Sequence, residues 1–280
     1  MTAAGRKSRL PRAALWAGVL ATIVVTGFPL YWMVASSIMP YPDLFDRTPR
    51  FLPRALTLEH YHGLLSRTAF PTYFSNSFLV ATMATALAIV LATLAGYGLT
   101  RFTFPGRALV ARSVIFTYLF PPILLTIPLF VLLKQMGMVN SHVGLALAHV
   151  SFALPFATWL AMIFFQAIPV ELEEAAMVDG ASRLTALRRV VLPLAGPGIV
   201  ANAVFVFVLS WNDYLFSVVL VVDERLKTLP VGVAGFADST SVEWGLMMAG
   251  GVLITLPIMV GFAVVQRYLI QGLSAGALKG

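Results

Sequence analysis

Six apolar runs, at about 13–38, 76–99, 108–133, 143–167, 199–222 and 246–269, constrain this 280-residue chain more than any other feature. Each is long enough to cross about 30 Å of hydrocarbon as a helix, a distance that takes about 20 residues. Hydrophobic residues make up 59% of the chain and charged residues 11%. No water-soluble fold of this size covers that much apolar surface. The chain is therefore expected to be an all-α membrane protein, a single transmembrane domain over 1–280 with six transmembrane helices. The first run follows Arg6, Lys7, Arg9 and Arg12. It is about twice as long as a signal-peptide core and reads as a retained span.

Charge orients the spans. With six of them, both termini share a side with 100–107 and 168–198, and that side holds 12 of the 19 Lys and Arg residues when Arg112 is counted with its adjoining edge. The opposite side holds Arg47, Arg50, Arg54, Arg67, Lys134, Arg225 and Lys227. The positive-inside rule then puts both termini in the cytoplasm. On the outer side, Pro40, Pro42, Pro49 and Pro53 break regular structure in the loop 39–74, and Leu56 to Leu65 reads as a short helix capped by Thr57. Pro29, Pro121, Pro122, Pro128, Pro155 and Pro257 lie inside the spans. Each removes a backbone donor and opens a kink, which suits either a bundle around a pathway or ordinary helix packing.

Several function classes are excluded. There is no cysteine, so no disulfide, thiol catalysis or thiolate metal site. His60 and His62 are two apart, whereas helical metal pairs sit four apart, and His142 and His149 stand alone. No metal site is expected. The net charge of +7 is spread along membrane edges rather than gathered in a patch, which argues against a nucleic-acid partner. None of the four lysines, Lys7, Lys134, Lys227 and Lys279, sits in a GxxxxGK[ST] phosphate loop, and no triad, HExxH or GxSxG is present. The chain is read as a non-enzyme with no catalytic residue and no cofactor of its own.

One polar island interrupts the apolar pattern between the fourth and fifth runs, at 168–198. Pro169 suits the first turn of a short helix, with Leu172, Ala175 and Ala176 on one face and Glu171 and Glu174 on another. Asp179-Gly180 signals a turn, with Gly180 free to adopt the left-handed conformation that ends a helix. Ser182 or Asp179 is placed to cap a second helix carrying Leu184, Leu187 and Val191 on one face, with Arg183, Arg188 and Arg189 solvated or paired outward. Pro193 and Pro197 would close the unit. The island is either an amphipathic loop on the membrane surface or a docking surface for another protein.

Its spacing resembles that of a known family. Glu174-Ala175-Ala176, Gly180, Val190, Leu192 and Pro193 match the loop pattern of binding-protein-dependent ABC importer permeases, with valine for isoleucine at 190. Ile168-Pro169, Asp179-Gly180-Ala181, Asn76-Ser77, Phe104-Pro105-Gly106-Arg107 and Trp211-Asn212-Asp213 narrow the resemblance to the carbohydrate-uptake branch. The ending Gln266 to Gly280 is similar to that of the second of two maltose-type permease subunits. The resemblance implies a type I ABC importer permease fold in a bacterial inner membrane. It also implies a coupling loop in which Glu174, Ala175, Ala176, Asp179, Gly180, Arg183, Val190, Leu192 and Pro193 meet an ATPase. The cytoplasmic tail 270–280, with Gly276, Lys279 and Gly280, would reach the same ATPase. The implied partners are a second, non-identical permease, two ATP-binding subunits that hold ATP and Mg, an extracytoplasmic substrate-binding protein and membrane lipid.

Trp211, Asn212 and Asp213 are the candidate lining of the translocation path. Asp213 would serve there as lining or gate, or else as a hydrogen-bonded anchor between helices; Trp211 would stack on a sugar or sit in an interfacial belt. The expected function is transport of a sugar or oligosaccharide. Glycerol phosphate or another polyol is an alternative cargo, and a gradient-driven secondary transporter is a different mechanism.

Overall fold

The computed structural model describes residues 12–46, 48, 50–237 and 243–277. Thirteen α-helices occur among them: α1 Arg12–Ser37, α2 Tyr41–Leu44, α3 Glu59–Arg67, α4 Phe70–Arg101, α5 Arg107–Tyr118, α6 Pro122–Gln135, α7 His142–Gln166, α8 Glu171–Val178, α9 Arg183–Ala186, α10 Leu192–Trp211, α11 Leu215–Leu220, α12 Leu229–Ala234 and α13 Trp244–Ala277. No strand occurs among the described residues. Five helical stretches there are long and apolar enough to span a membrane, or six if the bent pair α5–α6 counts as one.

The chain divides into two compact units. One contains α1 to α3 and the start of α13 through Leu253. In it α1 is apolar and mostly exposed from Leu15 to Val34, as a lipid-facing span must be, and becomes buried at Ala35, Ser36 and Ser37. His60 of α3 donates from Nε2 to the Met39 carbonyl at 2.7 Å. Thr57 Oγ1 accepts from the Glu59 amide at 3.1 Å, so α3 starts at Glu59, three residues later than the sequence suggests.

The other unit runs from Thr68 to Gly235 and from Ile254 onward. Its center is the pair α4 and α7, joined by α10. Ala84, Ala88, Ala92 and Gly96 recur every four residues on α4 and are all buried, facing a stripe on α7 that includes Ala153, Ala157 and Ala161. Small residues let helix backbones approach closely in lipid, where dispersion contacts replace the hydrophobic effect. At Gly96 the crossing is so tight that a Cβ would lie 2.8 Å from that of Ala161. Asn202 of α10 donates to the Ala157 carbonyl at 2.8 Å and so ties the third helix to the pair.

Three stretches depart from the expected spans. The run 108–133 is two helices, α5 and α6, that meet at 100°. Pro121 and Pro122 cause the break, because neither carries an amide hydrogen and Pro121 is held in extended backbone (φ −58°, ψ 127°). The fifth span begins well before 199. The helix is unbroken from Arg183 to Trp211, 29 residues, passing through one π-turn at Leu187–Val191. It also ends at Trp211 rather than 222, because the Asp213 carboxylate accepts the Phe216 amide at 3.3 Å and the Ser217 amide at 2.9 Å and starts α11. Beyond the sixth run, the 270–280 segment read as a tail stays helical through Ala277.

Candidate functional site

The polar island folds as a helical hairpin, α8 followed by α9. Helix α8 opens with three carboxylates in its first turn, Glu171, Glu173 and Glu174, which favor the positive end of a helix dipole. It closes at Gly180, whose φ of +91° is left-handed. The Ala181 amide donates to the Ala176 carbonyl at 3.0 Å and the Gly180 amide to Met177 at 3.1 Å. This 6→1 and 5→2 pair is the Schellman ending that glycine permits. Ser182 then accepts from the Thr185 amide at 3.3 Å and caps α9; Asp179 plays no such part.

The hairpin is outward-facing where the spacing pattern points. Glu174, Ala175, Asp179 and Pro193 are exposed, and Ala176, Val190 and Leu192 are half-buried. Val178 is 88% exposed, and Val170, Leu172 and Leu184 are exposed apolar side chains around it. Leu184 therefore does not share the inward face of Leu187 and Val191, which are buried. Arg183 is not simply solvated, since its guanidinium lies 5.0 Å above the Phe102 ring. Pro193 does not end the unit. Lacking an amide, it leaves the Arg189 carbonyl without its helical partner, and the preceding turn widens so that the Leu192 amide donates to Leu187.

The inner side of the hairpin carries a group that the sequence reading passed over. Glu173 is 2% exposed. Its carboxylate accepts from the Tyr97 hydroxyl and from Arg101 Nε at 3.2 Å. Arg101 also donates to the Ile168 carbonyl at 2.8 Å. Tyr97 and Arg101 sit four apart on α4 and so share a face. That spacing of a tyrosine and an arginine at the end of an apolar run was the available signal for a buried acid.

The opposite end of α4 holds a different polar cluster. Asn76 Nδ2 donates to the Arg225 carbonyl at 2.8 Å and to the Lys227 carbonyl at 2.9 Å. Ser77 Oγ accepts from the Leu229 amide at 2.7 Å. The Tyr73 hydroxyl donates to Glu224. Asn140 Oδ1 accepts from the amides of Val222 (3.0 Å) and Asp223 (2.9 Å). Asn76-Ser77, noticed first as a sequence match, is thus a clasp on the 222–229 loop.

Trp211, Asn212 and Asp213 do not form one surface. Trp211 is fully buried, with its indole Nε1 donating to the Ile254 carbonyl at 3.1 Å. Asn212 is exposed. Asp213 is half-buried and lies 3.1 Å from His149 Nε2, while His149 Nδ1 is 2.5 Å from Ser210 Oγ. Asp213 therefore has the partners of an interhelical anchor. Gly276 falls in the last turn of α13, and Lys279 and Gly280 lie outside the described residues.

With this geometry in hand, the chain's relatives are informative. The family of binding-protein-dependent transport system inner membrane components matches residues 84–275, and the chain belongs to it. It is 35% identical to the trehalose/maltose transport system permease protein MalG of Thermococcus litoralis, over 98% of this chain and 99% of that protein. It is 36% identical to the trehalose transport system permease protein SugB of Mycobacterium tuberculosis, over 96% of this chain and 98% of that protein. A chain in the crystal structure of a bacterial ABC transporter involved in import of the polysaccharide alginate has the same fold, with a TM-score of 0.78 at 21% identity, covering 96% of this chain and 99% of that one. The protein is a membrane-embedded permease with the ABC importer fold.

Proposed function

We propose that this chain is one of two non-identical permease subunits of an ATP-driven importer for a sugar or oligosaccharide. The observation that carries the reading is the α8–α9 hairpin, which presents exposed Glu174 and a rim of exposed apolar side chains around Val178. Exposed apolar side chains of that kind mark a surface covered by another protein or by the membrane, and the exposed carboxylates Glu171, Glu174 and Asp179 among them favor a protein. Two ATPase subunits supply that cover, one on this hairpin and one on the second permease. They also hold the ATP and Mg that this chain has no phosphate loop to bind, so the chain itself is not an enzyme. An extracytoplasmic binding protein delivers cargo to the side that carries the 222–229 loop. Both termini are cytoplasmic, as the distribution of Lys and Arg supports. The sugar class rests on the trehalose and maltose systems named for the relatives.

Motion follows from attachment. Closure of the ATPase pair displaces both hairpins and rocks the two bundles between inward and outward access. Co-expression of the chain with its second permease and ATPase tests the reading. The ATPase should co-purify with the parent chain and be lost from the Glu174→Lys, Val178→Asp variant while the variant still inserts in the membrane. Retention of the ATPase by that variant would remove the docking assignment. Calorimetry of the cognate binding protein with maltose, trehalose and glycerol phosphate tests the cargo class, and a response to glycerol phosphate alone would overturn it.

A further inference from the structure

Helix α8 is eight residues long, and Glu173 is its one buried residue. The short helix packs against α9 and the π-turn at Leu187–Val191, but its tie to α4 is a charged side chain, which is a poor choice if attachment alone were at stake. An apolar side chain of similar size would cost nothing to desolvate, whereas a buried carboxylate must recover its hydration from its partners. The partners here are directional. Tyr97 and Arg101 both reach the carboxylate from α4, and Arg101 also holds the Ile168 carbonyl just ahead of α8. Both the start of α8 and its inner face are thus fastened to one end of one helix.

That helix is unlike the others. Among the stretches long enough to span a membrane, α1, α7, α10 and α13 each contain an internal proline and α6 of the bent pair does too. Helix α4 runs 32 residues with a proline only in its first turn. It is about 48 Å long at 1.5 Å per residue, and its far end clasps the 222–229 loop through Asn76 and Ser77. A displacement applied at Arg101 has no hinge in which to dissipate before it reaches Asn76.

We infer that Glu173, Arg101 and Tyr97 are positioning residues, the joint through which α8 moves α4 when the ATPase moves α8. This rests on the docking role proposed above for the hairpin. Glu174, next in sequence, faces outward toward the partner; Glu173 faces inward and transmits. Directional, charge-assisted bonds preserve the angle between the two helices under load, which a sliding apolar contact does not.

The test uses the assembled transporter in nanodiscs, with MgATP and vanadate as the probe. The chain has no cysteine, so Glu171→Cys on α8 and Leu94→Cys on α4, both at exposed positions, report the distance between the helices by spin labeling. With the joint intact, one distance population is expected with and without nucleotide. Arg101→Ala with Glu173→Ala removes both charges together and strands neither. In that variant the population is expected to shift or broaden by about 2 Å or more on adding nucleotide. Stimulation of ATP hydrolysis by the binding protein is expected to fall about fivefold or more, with the ATPase still co-purifying. Exchange of the charges, Arg101→Glu with Glu173→Arg, is expected to restore part of the stimulation. A distance that stays single in the double-alanine variant, with stimulation unchanged, would overturn the joint. If the double-alanine variant is not recovered from the membrane, Tyr97→Phe, which removes one bond to Glu173, is judged by the same two readouts and the same outcomes. Failure of the ATPase to co-purify with the parent chain would instead overturn the docking reading on which the joint depends.

Discussion

At its Arg101 end, α4 holds a short helix through a buried ion pair with one carboxylate, whereas at its Tyr73 end several mostly neutral side chains hold a loop by its backbone. The first arrangement concentrates the attachment in one charged contact. The second spreads it over bonds from Asn76, Ser77 and Asn140, each of which loses little when broken alone. A concentrated joint keeps a fixed angle and fails all at once; a distributed clasp follows the loop and fails by degrees.

The largest effect should come from breaking the concentrated end one-sidedly. Arg101→Met leaves the Glu173 carboxylate buried with only Tyr97, a loss of about 3–5 kcal/mol, measured as a fall in thermal midpoint of the purified chain. Pairing it with Glu173→Leu should recover most of that loss, since the stranded charge is gone. Equal losses in the single and paired variants would show that packing rather than charge holds α8.

Asn76→Ala at the other end removes two bonds to main-chain carbonyls, at a cost of about 1–3 kcal/mol. Faster hydrogen exchange of the 222–229 amides should report it, with the α8 amides unaffected. A matching change at α8 would mean that the two ends are not separate clusters. Gly180→Ala introduces no clash, since nothing lies within 4 Å of its Cβ position. It still forces a left-handed alanine at about 1–2 kcal/mol, and Gly180→Asn should cost less. Comparing ATPase co-purification by the two variants checks whether the turn matters through its backbone.

The smallest effect is electrostatic and belongs to the loop. Hydrogen bonds from Lys227 and Tyr73 hold the Glu224 carboxyl below its usual value of 4.5. A depressed value means that the contribution is present above the unfolded pKa and is lost as pH falls through the folded one. Proteolytic nicking near Glu224 should therefore rise only below about pH 4.5, and Glu224→Gln should abolish that dependence. At the Arg101 end the paired carboxylate, Glu173, is buried instead.

Much of this was legible in contiguous residues. Gly180 and Ser182 announce a turn and a cap because both act on amides within five residues, and Asn76-Ser77 stood out only as a match to the resembling family. Other features were not legible. Whether Pro193 stops a helix or merely widens one turn depends on whether α10 packs over its whole length, and it does. Glu173 looked like one acid among three, because its partner Arg101 is 72 positions away and no period records that separation.

By itself the sequence determined the all-α character, the presence of long apolar helices and the glycine turn of the polar island. Hydrophobic length and local turn chemistry act over a few residues, and the surrounding chain cannot readily override them. The tertiary structure alone decided that Glu173 faces inward while Glu174 faces out, and that Asp213 is anchored to His149 of another helix. Each depends on which distant backbone or side chain comes within about 3 Å, the range over which a hydrogen bond is formed or lost.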